Sequence, residues 1–167
     1  MEDPSERFSA YYSLWVGHLT RGEPALMREM AELLLREAAA PPDCSETLIA
    51  HRVSGGTCFQ FGDFAGAHQN FQKTIELYDQ ARHADFANRF GADPRAVAEI
   101  IDALALWVLG RVDEALRLAD RALAGAASTG HAATMGHALV YAAFLELSAD
   151  PRASLDLQPD LRRYCLW

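Results

Sequence analysis

Three turns of the chain share one pattern, and this pattern restricts the possible fold more than any other feature. The segments are LTRGEPALM, FQFGDFAGA and WVLGRVDEA, centred on Gly22, Gly62 and Gly110. In each segment a large apolar residue shortly precedes the glycine, and a new helix is expected to begin about two residues after it. Pairs of antiparallel helices joined by short glycine turns are typical of a helical solenoid.

Apolar residues recur with helical spacing between these turns. The spacing predicts seven helices, over about 8–19, 27–38, 45–61, 64–78, 97–108, 112–126 and 131–148. No segment alternates with a period of two over a useful length, so the chain is expected to be all-α. We predict about three helix pairs plus one extra helix over residues 1–149. For the tail, residues 150–167, capping of the last helix is one interpretation.

Charge and composition exclude several classes of function. The net charge of −8 opposes binding to nucleic acids and to anionic membranes, which need a basic surface. No apolar run reaches the roughly 18 residues of a membrane span, and the acidic start MEDPSERF does not resemble a signal peptide. Cys44, Cys58 and Cys165 are scattered and odd in number, as expected for free thiols in a reducing cytoplasm.

The second turn lies in a segment that resembles a tetratricopeptide repeat (TPR). Gly55, Gly62, Phe64, Ala67 and Phe71 stand at matching positions, and the flanking repeats match less completely. The turn glycines are 40 and 48 residues apart, whereas a regular TPR repeats about every 34 residues. The resemblance implies a TPR-like helical-hairpin solenoid with long connections and a concave surface.

The longer spacing is caused by the segment YDQARHADFANRFGADP, residues 78–94. It is expected to continue the fourth helix and to end where Asp93 caps the fifth helix ahead of a proline. Phe86 and Phe90 need burial, so the segment should fold back onto the helices. His83 is interpreted as a residue that holds the loop by hydrogen bonds rather than as a catalytic group.

A longer run, LYDQARHADFANRFGADP followed by LALWVLGRVDEAL, carries a second resemblance. It is similar to the helical-repeat region downstream of the ATPase in bacterial multidomain adenylate/guanylate cyclase-type signalling proteins, over roughly residues 10–147. The resemblance implies a regulatory module that contacts other proteins. It does not extend to the ATPase itself, because the chain has no glycine-rich loop ending in Gly-Lys-Ser/Thr.

The first helix of each pair would line the concave side and supply a binding surface. The candidate residues for contact with a partner are Tyr12, Arg52, Phe59, Leu104 and Trp107. An arginine on an inward helix pairs well with a carboxylate of a bound peptide. A salt bridge from Arg52 to a neighbouring helix is an equally good interpretation.

A small-molecule sensor is the second hypothesis, with a pocket under the loop of residues 78–94 lined by Phe86, Phe90 and Trp107. The candidate loop residues for such a ligand are His83, Phe86, Arg89, Phe90 and Asp93. A closed apolar cavity would favour this hypothesis, and a packed loop would exclude it.

An enzyme is the third hypothesis, and the sequence offers little for it. The histidines are dispersed without metal-ligand spacing, and no GxSxG motif is present. We therefore expect a non-catalytic module without cofactor or metal, whose partner is a protein or a peptide. We also expect homo-oligomerisation through a terminal repeat, because the ends of a solenoid are apolar unless they are capped.

Overall fold

The computed structural model describes residues 4–39 and 45–149, and within these ranges the secondary structure is helical without a strand. The helices are α1 (Pro4–Arg21), α2 (Pro24–Ala38), α3 (Thr47–Gln60), α4 (Phe64–Leu77), α5 (Gln80–His83), α6 (Phe86–Phe90), α7 (Pro94–Val108), α8 (Val112–Thr129) and α9 (Ala132–Ala149). None of them combines the length and apolarity that a membrane span requires. Cys44, Cys165 and the tail 150–167 lie outside the described residues.

The long helices pack largely in chain order. Helix α1 packs on α2, α3 on α4 and α7 on α8, while α2 contacts α3, α4 contacts α7 and α8 contacts α9. Helix α3 also contacts α7, and α7 contacts α9. Helices α3, α7 and α9 therefore lie side by side in that order.

The three predicted glycine turns have the same backbone structure. The φ angles are 68° at Gly22, 76° at Gly62 and 80° at Gly110, a region that glycine adopts without steric cost. In each turn the glycine N–H donates to the carbonyl three residues earlier. The next N–H donates to the carbonyl five residues earlier, at 2.9 Å in all three turns. These bonds satisfy carbonyls at the end of the first helix and reverse the chain.

Close packing of α3 on α4 depends on another glycine. Phe71 of α4 lies directly against Gly55 of α3, and a Cβ added to Gly55 would stand 2.8 Å from atoms of the phenyl ring. Phe71 and Ala67 are fully buried. The TPR-like segment therefore brings its two helices together through a small residue facing a large one.

The loop of residues 78–94 differs in detail from the prediction. Helix α4 ends at Leu77 instead of continuing, and the segment forms the two short helices α5 and α6. As predicted, the segment folds back, because Phe86 and Phe90 are buried in a cluster with residues of α1, α2 and α3. Arg89 fastens the segment further by an ion pair with Glu46, at 2.8 Å.

The seventh predicted helix corresponds to α9, which has neighbours that the sequence did not suggest. Helix α9 packs on α7 and α8, and it contributes Ala142 and Leu145 to their apolar cluster. Its outer side keeps Val140, Phe144 and Leu147 exposed. These residues are spaced four and three apart and form one stripe, which we call the α9 stripe.

The contact between α3 and α4 predicts that Gly55→Ala is destabilising. Overpacking against the buried Phe71 ring should outweigh the gain in helix propensity and lower the free energy of unfolding by about 1–2 kcal/mol. Gly136→Ala in α9 is the matched control, because an added Cβ there meets no atom within 4 Å. It should raise the free energy of unfolding by about 0.5–1 kcal/mol. Urea denaturation measures both, and equal stability of the two variants would contradict this packing.

Candidate functional site

A cavity of about 310 Å³ opens between α1, α3, α7, α9 and the end of α6, and we call it the groove. Its lining residues are Tyr12, Trp15, Val16, Leu19 and Thr20 from α1, Arg52, Gly56, Phe59 and Gln60 from α3, Phe90, Gly91 and Ala92 around the end of α6, Val97 and Ile101 from α7, and His137 and Tyr141 from α9. Most of these side chains are apolar or aromatic. Among the described residues, the lining includes Arg52 and His137 but no aspartate or glutamate.

Arg52 lies at the base of the groove. Only 7% of the residue is exposed, and its guanidinium carbon stands 5.1 Å from the centre of the Tyr12 ring. The guanidinium donates a hydrogen bond to the Tyr12 hydroxyl, which in turn donates to the carbonyl of Phe90 at 2.9 Å. This chain of hydrogen bonds connects α3, α1 and α6 along one wall.

The charge of Arg52 has no counter-charge among the described residues. Its Nε is buried without a hydrogen-bond acceptor, and it takes part in no ion pair there. The salt bridge to a neighbouring helix that the sequence left open is therefore absent from this part of the structure. A buried guanidinium without a carboxylate is costly, because burial removes the water that solvates the charge.

The walls of the groove are held in place by specific contacts. Trp15 Nε1 donates to the hydroxyl of Thr57 at 3.0 Å, and both residues are buried. Gly56 allows this approach, since a Cβ added there would stand 3.3 Å from the indole. On the same helix, Phe59 meets Phe64 edge to face, with ring centres 5.4 Å apart. The aromatic surface is thus fixed before any ligand enters.

Helix α9 closes the groove with two residues that were not predicted from the sequence. The rings of His137 and Tyr141 lie 5.0 Å apart, and both line the cavity. His137 is exposed at the mouth of the groove, but desolvation by the surrounding atoms, followed by the positive charge of Arg52, lowers its pKa. Burial raises the pKa of the Tyr141 hydroxyl. Because the two residues are four positions apart, their rings lie on one face of α9, and this spacing could have predicted the pair from the sequence.

The predicted concave residues divide into two groups. Tyr12, Arg52 and Phe59 line the groove together. Leu104 and Trp107 do not line it, because they pack against the apolar cluster of α7, α8 and α9. Val97 and Ile101 occupy the α7 positions of the groove instead.

The predicted loop residues mostly have structural contacts. His83 is buried, its Nδ1 accepts a hydrogen bond from the Asp79 N–H at 3.0 Å, and burial lowers its pKa. Asp93 caps α7 by accepting from the Ala96 N–H at 2.8 Å. The other oxygen of Asp93 accepts from the Tyr78 hydroxyl at 2.7 Å. Both His83 and Asp93 therefore stabilise the conformation of the loop.

No cavity of the described residues is lined by all three residues predicted for the pocket under the loop: Phe90 lines the groove, whereas Phe86 and Trp107 do not. Phe86 and Phe90 belong to the cluster of α1, α2 and α3, whereas Trp107 packs with α7, α8 and α9. Two cavities of about 330 and 280 Å³ do lie beside Tyr78 and Asp93. Most of the residues that line these two cavities are polar or charged, and the loop itself is packed. The packed loop disfavours a ligand directly beneath it, and the sensor hypothesis stays a prediction.

One buried acid–base network lies away from the groove. Fully buried Asp102 accepts from His68 Nδ1 at 2.8 Å and from Gln72 at 2.8 Å, while Arg111 contacts the other ring nitrogen of His68 at 3.1 Å. Burial raises the pKa of Asp102. With both ring nitrogens of His68 occupied, the network joins α4 to α7 and to the next turn. The described residues hold no group of three or more His, Cys, Asp or Glu side chains suited to a metal.

Comparisons with known proteins do not identify the chain: no family model, no curated protein and no solved structure matches it. The resemblances drawn from the sequence therefore stay expectations. The geometry of the groove is the main basis for a functional assignment.

Arg52→Met tests whether the arginine is kept for stability. Loss of its hydrogen bond, about 1 kcal/mol, should be offset by removal of an unpaired buried charge, so the free energy of unfolding should stay within about 1 kcal/mol of the wild type. Arg89→Met is the matched control, because it breaks the partly buried ion pair with Glu46 and should cost about 1–3 kcal/mol. Chemical denaturation measures both. An Arg52→Met variant destabilised as much as Arg89→Met would show that Arg52 has a structural role.

Proposed function

We propose that this chain is a non-catalytic regulatory or scaffold module, built as a TPR-like solenoid, that binds a protein or peptide in the groove. The observation that carries the proposal is the groove itself, an apolar and aromatic surface with one buried, unpaired guanidinium. In this proposal the module belongs to a bacterial signalling system in the cytoplasm, as its resemblance to the repeat region of cyclase-type ATPases implies. It needs no cofactor.

The groove suits a peptide segment better than a small molecule that must be fully enclosed. It is bordered by α1, α3, α7 and α9, the helices that begin successive structural units, and it remains open to solvent at the exposed residues Thr20 and Gln60. Aromatic side chains such as Tyr12 and Phe59 offer a large contact area with little conformational entropy to lose. A segment with one or two apolar anchors would bury them between α3 and α9.

Selection from a displayed library of random 12-residue peptides tests the proposal. We expect peptides that bind with dissociation constants in the micromolar range, or about −7 to −8 kcal/mol. Tyr141→Ala should weaken the selected peptides by about tenfold or more, because it removes an aromatic wall. Gln60→Trp, at an exposed position on the rim, should also weaken them by narrowing the entrance.

Phe144→Ala is the matched control for Tyr141→Ala. Phe144 is an aromatic residue on the same helix, it is 57% exposed, and it does not line the groove. Its replacement should leave peptide affinity per chain unchanged. Peptides that lose affinity with Phe144→Ala but not with Gln60→Trp or Tyr141→Ala would refute the groove as the binding surface, as would a selection that yields no binder.

The α9 stripe supports a second part of the proposal, homo-oligomerisation through the last described helix. Val140, Phe144 and Leu147 form a continuous apolar row on the side of α9 that faces away from α7 and α8. Two copies of the stripe, related by a two-fold axis, would cover each other.

Light scattering on the full-length chain measures this association directly. We expect a dimer for the wild type and a monomer for Phe144→Asp, because a carboxylate in the middle of the stripe opposes its burial. Gln60→Asp, an exposed polar position outside the stripe, should leave the dimer intact. A monomeric wild type at high concentration would contradict the proposal.

A further inference from the structure

Two basic side chains reach one cavity from different helices. Arg52 enters the groove from α3 and His137 from α9, and they are close enough for the charge of Arg52 to oppose protonation of the imidazole. The chain as a whole carries a net charge of −8, yet none of the carboxylates that the structure describes lines this groove. The groove is therefore a local positive site in an acidic protein, and an anion is the natural complement.

Few titratable or charged groups share the cavity with His137. Among the described residues the lining contributes Arg52 from α3, Tyr12 from α1 and Tyr141 from α9, and the Tyr141 ring lies 5.0 Å from the imidazole. Helices α6 and α7 supply only apolar or glycine residues to the lining, and α8 supplies none. An anion bound to Arg52 would accordingly have one titratable basic neighbour, the imidazole of His137.

The size and lining of the groove favour a carboxylate over other anions. The walls are mainly aromatic and aliphatic, so the anionic group must be attached to an apolar body. The single positive charge of one guanidinium offsets the single negative charge of one carboxylate. A dianion such as a phosphate monoester would need further donors to offset its larger desolvation, and the lining offers only His137 as a second basic group.

We propose that the groove recognises a carboxylate carried by an aromatic or aliphatic group, and that His137 takes up a proton as this group binds to Arg52. The inference rests on the proposed function and specifies both its ligand chemistry and its regulation by pH. In the occupied groove the carboxylate neutralises the repulsion from Arg52. The protonated imidazole then donates a hydrogen bond to the second carboxylate oxygen.

The sign of the pH dependence follows from this arrangement. In the empty groove the exposed His137 is neutral at neutral pH, because partial desolvation and the charge of Arg52 both lower its pKa. A bound carboxylate raises the pKa of His137, so the complex holds more protons than the free protein. Affinity must then increase as the pH falls through the pKa of the complex, by at most about tenfold for each pH unit. The carboxylate of the ligand, with a pKa of about 4, stays ionised at neutral pH and above.

The probes are 3-phenylpropionate and its neutral amide, titrated into the full-length chain and followed by ¹H–¹⁵N NMR. The Arg52 Nε–H and the Trp15 indole N–H report directly on the groove, since both residues line it. We expect the acid to bind at least about tenfold tighter than the amide, the effect of one desolvated charge pair. Between about pH 8 and about pH 6 its affinity should increase about tenfold.

Two variants separate the parts of the inference. His137→Asn should reduce the pH dependence to less than about twofold while keeping the preference for the acid. Arg52→Met should abolish that preference. Equal affinity for acid and amide, or absence of binding by either, would overturn carboxylate recognition; a pH-independent wild type would overturn the role of His137. In both cases the peptide selection remains a separate test, so this inference can fail while the proposed function stands.

Discussion

A glycine in the left-handed conformation ends the first helix of each pair, at Gly22, Gly62 and Gly110. Because the same two hydrogen bonds follow each glycine, the three hairpins reverse direction in the same way. The packing of α3 on α4, the alignment of α3, α7 and α9, and the groove that they border all depend on this reversal. Replacing any of these three glycines by a residue with a side chain would strain the backbone of the turn. The packing and the groove that depend on the turn would then be disturbed.

The groove shows a conflict between stability and recognition. Burying Arg52 without a carboxylate gives the fold no ion pair and leaves Nε without an acceptor. A hydrophobic residue of similar length would fill the same space at a lower desolvation cost. Our proposal offers a reason for the arginine, because a preformed and poorly solvated guanidinium recognises a carboxylate strongly.

The sequence was sufficient to predict the long helices, because the apolar periodicity of a helix and the glycine at its end are local signals. Helices α5 and α6 were not predicted, since four or five residues are too few to show a period. The contribution of His137 and Tyr141 was missed because it depends on how α9 packs against α7, a contact between distant segments. For the same reason the repeat register predicted Leu104 and Trp107 for a groove whose α7 positions are Val97 and Ile101.

The proposed function stands on a ligand that occupies the groove between α1, α3 and α9. Cross-saturation NMR with a selected peptide detects such a ligand, because magnetisation passes only to protein groups in contact with the peptide. We expect strong saturation at Tyr12, Phe59 and Tyr141 and much less at Phe144, whose exposed ring lies 6.5 Å from that of Tyr141 but does not line the groove. Saturation confined to Phe144 and its neighbours, with the groove unaffected, would contradict binding in the groove.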